Sequence, residues 1–274
     1  INTIAWTRYP EAVVFGNKPL SSEEIIKIEN NINEHIKDTG RKYNFTYKYH
    51  ETERDLLFDF LYNYARHDAV ITGWNFWKYD WRYILNRCNK LDLDISWLSP
   101  TKQWFEHKVK DRGQKVPIML PQHKLIIDYM TIYQNWDRVI DVKEFDTLDY
   151  VSERATGIKK VKYPGTFQEL YNKDYDQYVF YNVIDAVLVE EIDRNIETLE
   201  TFTTLANITQ VDAMSTFSPI RMLEAVLTRY AYRRGLVFPK NKNAGQKQKY
   251  DGGFVFEPKR GLYNWVASFD FASL

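Results

Sequence analysis

Ala69-Val70-Ile71-Thr72-Gly73-Trp74-Asn75-Phe76-Trp77-Lys78-Tyr79-Asp80 reads as a short strand that breaks at a glycine and runs into a helix. The run 69–72 is apolar without alternation, which suits a central strand covered on both faces. Asp80 then falls in the first helical turn, at the carboxyl edge of the strand, where open α/β sheets collect their ligands. A carboxylate is favoured there by the helix dipole as well. The competing reading of Asp80 is therefore an N-terminal helix acid with no chemical role.

Outward from this stretch the chain alternates strands and helices. Upstream, Thr3–Trp6 and Glu11–Phe15 read as a strand pair joined through Pro10. Ser21 and Glu24 have capping-box spacing, so each side chain can bond the other's free backbone amide at a helix start. Ile25, Ile28, Ile32 and Ile36 give that helix its buried stripe, and Gly40 closes it. Phe45–Tyr49 reads as a strand, and Leu56, Leu57, Phe60, Leu61 and Tyr64 mark a second amphipathic helix. A third helix is expected to start near Tyr79. Downstream, Lys108–Val116 reads as a hairpin turning at Gly113, Lys124–Asp128 as a strand, and Asp174–Asn195 as a long helix. Lys240–Tyr250, rich in Lys, Asn, Gln and Gly, is the best linker candidate. The fold class is α/β.

Composition limits the functions available. With 274 residues, 44% of them hydrophobic, the chain can build one large core or one domain and part of another. Its net charge is zero, so any nucleic-acid contact needs a local patch or a site that reads single strands by stacking. The single cysteine, Cys88, excludes a disulfide framework and a cysteine-built zinc site, and reads as a small core residue in a reducing compartment. No apolar run reaches the roughly 18 residues of a membrane span, so no membrane association is expected.

A second candidate site lies in the long helix. Tyr181 and Asp185 are four residues apart and share a helical face, at the margin of the apolar stripe formed by Phe180, Val183, Ile184, Val187 and Leu188. The pair alone is weak, because so many Tyr and Asp residues give comparable pairs by chance. His50, His67, His107 and His123 lack metal-ligand spacing, and there is neither a phosphate loop nor a nucleophile elbow. Asp128 follows an apolar strand, and capping the helix that begins at Tyr129 is its simplest role.

Two carboxylates in this context resemble a known pattern. Asn75-x-x-x-Tyr79-Asp80 is similar to the second exonuclease motif of family B DNA polymerases, and Tyr181-x-x-x-Asp185 to the third. Ile71–Asn75, Ile84–Arg87, Asp128-Tyr129, Leu148–Tyr150, Phe217–Ile220 and Ser268–Asp270 follow in the order of the T-even-type phage branch. Tyr79 stands where the family usually has Phe. The resemblance implies a ribonuclease-H-like 3′–5′ proofreading exonuclease domain, a mixed sheet flanked by helices, followed by the first strands of a polymerase palm. It also implies a division into 1–205 (exonuclease), 206–249 (connector) and 250–274 (start of the palm).

By the same resemblance Asp80 and Asp185 are metal ligands, Tyr181 orients the attacking water and Asn75 helps hold the single strand. Tyr250-Asp251-Gly252-Gly253 resembles the Tyr-x-Gly-Gly between the exonuclease and polymerase domains, with Tyr250, Gly252 and Gly253 at the DNA backbone. Asp270, at the end of an apolar strand (Trp265, Val266, Ala267, Phe269), resembles the first palm carboxylate, a catalytic metal ligand. The hairpin tip, Arg112 and Gly113, is expected to contact DNA and keep primer from template. Two Mg²⁺ (or Mn²⁺) ions are implied, because hydrolysis by paired ions about 3.5–4 Å apart needs hard oxygen ligands.

The implied partners are a single-stranded primer end, primer-template DNA, deoxynucleotides and a sliding clamp, in the cytoplasm of a bacterial host. The Asp-x-Glu of the first exonuclease motif occurs nowhere in residues 1–50 and is expected upstream, and 270–274 read as an unfinished turn. The chain thus reads as a piece of a DNA polymerase that is inactive by itself. Two other readings compete: a non-catalytic single-stranded-DNA binder using Trp74 and Trp77, and a free-standing exonuclease.

Overall fold

The computed structural model describes residues 1–111, 113–136, 147–163, 165–238, 257 and 259–267. β1 (Thr3–Arg8) and β2 (Glu11–Gly16) form the expected antiparallel pair. In the following helix, α1 (Ser22–His35), the Ser21 side chain accepts from the Glu24 amide at 3.3 Å while the Glu24 carboxylate accepts from the Ser21 amide at 2.7 Å. Ile28, Ile32 and Ile36 are buried, and Gly40, at φ 70°, ends a 3₁₀ turn that extends the helix. β3 (Asn44–Tyr49) then runs parallel to β2 and completes a sheet of order β1-β2-β3.

β2 is buried on both faces, as strand alternation allows. Val13 and Phe15 enter one core with α2 (Glu53–Asp59), and Ala12 and Val14 enter another with α1. α2 widens into a π turn over Phe60–Ala65. β4 (Val70–Gly73) is followed by a second π turn, Trp77–Trp81, and only then by α3 (Arg82–Lys90). The helix expected from Tyr79 therefore begins as a wider coil, whose buried Trp77 and Trp81 are fixed by contacts described below. Gly73 fits tightly here, since a Cβ would lie 3.0 Å from the Phe76 ring.

β5 (Trp104–Asp111) and β6 (Gln114–Pro121) form the hairpin, longer than the expected 108–116 because Val109, Ile118 and Leu120 are buried and extend the pairing toward the core. β7 (Leu125–Asp128) pairs in parallel with β4. Among the described residues β1 pairs only with β2, and β4 only with β7.

The remaining helices are α4 (Tyr129–Trp136), α5 (Leu148–Thr156), α6 (Phe167–Lys173), α7 (Tyr175–Ile196), α8 (Thr198–Thr209) and α9 (Pro219–Tyr232). α7 supplies Val179, Val183, Ile184, Val187 and Leu188 to the second core and packs on β1, β2, α1 and α5. The outcome is a mixed α/β architecture of sheets flanked by helices.

The chain divides into compact units at 1–229 and 230–274. In the second, Arg234 lies over the Tyr230 ring at 3.7 Å. Among the described residues Trp265–Ala267 carry no strand, Trp265 having φ 62° and Val266 being largely exposed; Phe269 and the end of the expected palm strand lie outside the described residues. Arg112, Tyr250, Gly252, Gly253 and Asp270 lie outside the described residues. No described helix is long and apolar enough to cross a membrane.

Candidate active site

The parallel β4–β7 pair sets the floor of the site, because both strands end at the same level: Gly73 faces Asp128 across the ladder. Past Gly73 the chain reverses through Asn75, which takes the left-handed conformation at φ 56°. Asparagine tolerates this better than most residues. The Asn75 Oδ1 is buried without a partner, the state of an acceptor held ready for a donor. The π turn then presents Asp80.

Asp80 is exposed to solvent, yet the protein packed around it pushes its carboxyl up, to about 6, a shift that solvent screening tempers. Burial by surrounding protein is the first cause, and the charges of Asp128 and Asp185 add to it. Three carboxylates are thus electrostatic neighbours. Asp128 is fully buried; its Oδ1 accepts from the Thr131 amide at 3.4 Å, which confirms its capping of α4. Its Oδ2 has no partner, and burial raises this carboxyl also to about 6, moderated by the amides of Thr131, Trp77 and Met130. Capping therefore describes only half of what Asp128 does. Its proximity to Asp80 depends on the β4–β7 pairing, which left no local signal.

Across from these, α7 carries Tyr181 and Asp185. Tyr181 and Asp185, four residues apart, share one face of the helix, and the phenol adds to the forces that lower the Asp185 pKa. Burial raises the Asp185 pKa, opposed by Lys160, whose Nζ lies 2.8 Å from Oδ2. Asp185 Oδ1 is buried and unpartnered. Lys160 also sits 5.1 Å from the Tyr181 ring, which itself packs edge-on against Tyr163 and Phe167. The lysine is positioned by its own amide, which donates to Asp149 Oδ1 at 2.8 Å. Nothing in the sequence distinguished it from the neighbouring lysines of 159–162.

The described arrangement joins Asn75, Asp80, Tyr181 and Asp185 with Asp128 and Lys160 in one region. Gly113, at φ 83° in the hairpin turn, lies beyond it at the end of the β5–β6 arm. Trp77 does not offer a stacking face: it is 3% exposed and its indole N–H donates to the Ile126 carbonyl at 2.9 Å. The unpartnered oxygens at Asp185, Asp128 and Asn75 are hard donors that suit a divalent cation. Even so, no group of three or more His, Cys, Asp or Glu side chains among the described residues is disposed to hold a metal ion. Asp80 and Asp185 fit as part of a ligand set.

Residues 6–136 match the exonuclease domain of DNA polymerase family B, and residues 210–274 match DNA polymerase family B itself. The chain is similar to the DNA-directed DNA polymerase of Escherichia phage RB69, 28% identical over 232 residues. It is similar also to that of Enterobacteria phage T4, 25% identical over 227 residues. Each alignment covers 82% of this chain and 25% of the relative, so the chain spans about a quarter of their length. A DNA polymerase of Methanocaldococcus jannaschii is 24% identical over 228 residues, 81% of this chain and 13% of that protein.

Proposed function

Because the chain belongs to DNA polymerase family B, we propose that residues 1–205 act within a DNA-dependent DNA polymerase as its 3′–5′ proofreading exonuclease. Residues 206–249 connect this domain to the start of the palm at 250–274. The ribonuclease-H-like exonuclease domains of this family are metal-dependent nucleases. The observation that carries the reading is the match of residues 6–136 to the exonuclease domain of the family, with Asp80 at the turn after β4 inside it.

In this reading Asp80 and Asp185 would be among the ligands of divalent metal, Mg²⁺ or Mn²⁺ as two ions, together with the Asp-x-Glu that the family resemblance implies. When bound, such ions would supply charge neutralisation at the phosphate and lower the pKa of a coordinated water. Tyr181 orients that water through its phenol. Asn75 offers its amide to the single strand that ends in the site. Lys160 balances the charge of Asp185 and, at 2.8 Å, keeps its carboxylate in place. Tyr250, Gly252 and Gly253 approach the template backbone, Asp270 binds metal for nucleotide addition, and a sliding clamp engages other parts of the polymerase. Passive single-strand binding is the weaker reading, since Trp77 is buried and bonded. A free-standing exonuclease leaves the 210–274 match unexplained.

The test is a chain extended upstream to include the first exonuclease motif. It should digest single-stranded DNA from the 3′ end with added Mg²⁺, and Asp80→Ala or Asp185→Ala should abolish this. Tyr181→Phe should weaken it less, because only a hydrogen bond to the water is lost. The 274-residue chain by itself should not digest DNA. Digestion by that chain, lost on Asp185→Ala, would overturn the need for ligands beyond Asp80 and Asp185.

A further inference from the structure

The hairpin and the turn that presents Asp80 are tied together by two tryptophans. Trp77 and Trp81 bracket the π turn, four residues apart, and both face inward at 3% and 1% exposure. The turn is closed by the Trp81 amide, which donates to the Phe76 carbonyl at 2.9 Å across five residues. Such turns insert an extra residue and hold only where their surroundings fix them. Here the fixing is done by strands distant in sequence. The Trp81 indole N–H donates to the Met119 carbonyl of β6 at 2.9 Å, and its ring lies nearly parallel to Trp104 of β5, centroids 6.3 Å apart. The Trp77 indole N–H donates to the Ile126 carbonyl of β7, and its ring lies 5.0 Å from His107 of β5.

Both strands of the hairpin, and the strand that follows it, are therefore anchored to the segment that carries Asp80. From His107 to Asp111, β5 continues for four residues, an arm of about 14 Å at the usual rise per residue. The anchors sit at the base of this arm, so a displacement of the arm acts on Trp77 and Trp81. Asp80 is covalently held between them, adjacent to Trp81. A buried indole needs one acceptor, and packing alone does not require both acceptors to be backbone carbonyls of the hairpin and of the strand after it.

We propose that Trp77 and Trp81 are positioning residues that couple the hairpin to Asp80. A DNA strand that binds the hairpin in one position stabilises one placement of the π turn and hence of the Asp80 carboxylate. The linkage is reciprocal: occupancy at Asp80 favours that same hairpin position. The inference rests on the proposed role of Asp80 as a ligand in the exonuclease.

The test is a double-mutant cycle in the upstream-extended chain, combining Trp81→Phe with deletion of 109–115. Trp81→Phe keeps the ring and removes the N–H. The readouts are the ratio of initial rates on single-stranded and fully paired ends, and the Mg²⁺ concentration giving half-maximal rate. Trp81→Phe should change the rate ratio by about fivefold, the effect of one ordinary hydrogen bond. It should also raise the Mg²⁺ requirement. With the hairpin tip deleted, the same substitution should leave the ratio unchanged, because the coupled element is gone. Equal effects in both backgrounds, or a parallel fall on both substrates with no change in Mg²⁺ requirement, would overturn the coupling. Should Trp81→Phe fail to fold, Trp77→Phe in the same cycle decides between the same outcomes. Digestion that survives Asp80→Ala overturns instead the exonuclease assignment, a separate result.

Discussion

Replacing Asp128 by Asn should stabilise the protein at neutral pH and do little in acid. Asp128 is fully buried, its Oδ2 has no partner, and its carboxyl is raised from 3.8 to about 6. A folded-state pKa above the unfolded one means that the native protein holds the proton more tightly. The contribution to stability is therefore full below about 3.8 and is lost as pH rises through about 6. A shift of about 2 units corresponds to about 3 kcal/mol at pH 7. The amide carries no charge to bury, and its oxygen can still accept from the Thr131 amide as a cap. Its NH₂ replaces the unpartnered Oδ2 and costs about 1 kcal/mol unpaired, leaving a net gain of about 2 kcal/mol. The assay is urea unfolding followed by tryptophan fluorescence in metal-free buffer at pH 7.5 and 4.5. Destabilisation at pH 7.5, or an equal change at both pH values, would refute the argument by showing that the Asp128 charge is compensated.

Three further outcomes are expected. Deleting 109–115 from the completed polymerase should slow removal of paired ends several-fold while sparing single-stranded ones; an equal effect on both substrates counts against a strand-separating hairpin. Gly253→Ala should shift the ratio of exonuclease to polymerase activity without altering the melting temperature, because paired glycines allow close approach to a phosphate, and an unchanged ratio removes the proposed template contact. Gly16→Ala should destabilise the chain by about 1–3 kcal/mol through overpacking, since a Cβ would meet the Tyr47 hydroxyl at 2.0 Å and that of Tyr175 at 2.6 Å; a neutral effect in thermal unfolding would mean that both phenols move aside freely.

Local patterns carried much of the fold into the sequence. The Ser21–Glu24 box, the stripe at Ile28, Ile32 and Ile36, and the glycine turn of the hairpin act within one turn or one strand pair, so their neighbours in sequence are their neighbours in space. α8 was not legible in this way. Its Thr-rich segment has modest helix propensity, and burial of Phe202 and Ala206 holds it helical. The parallel pairing of β4 with β7 joins residues some fifty positions apart and leaves no periodic trace. The site divides along the same line. Asn75 with Asp80 and Tyr181 with Asp185 are short-range spacings and could be read. Asp128 and Lys160 join them only through tertiary contacts. The competing reading in which Trp77 stacks on a single strand fails because its indole is buried against an acceptor, Ile126, that lies some fifty residues away in sequence.

β2 is a party wall between the two cores. Val13 and Phe15 belong to one and Ala12 and Val14 to the other, on consecutive residues of one strand. Neither core can melt while leaving that strand intact for its neighbour, so the two should lose protection from amide hydrogen exchange together as a single cooperative unit. The helices packed on either side of this strand are thereby barred from opening one layer at a time. A site assembled from β4 on one side of this wall and α7 on the other inherits that all-or-none character: its opposing carboxylates are either both in register or both lost.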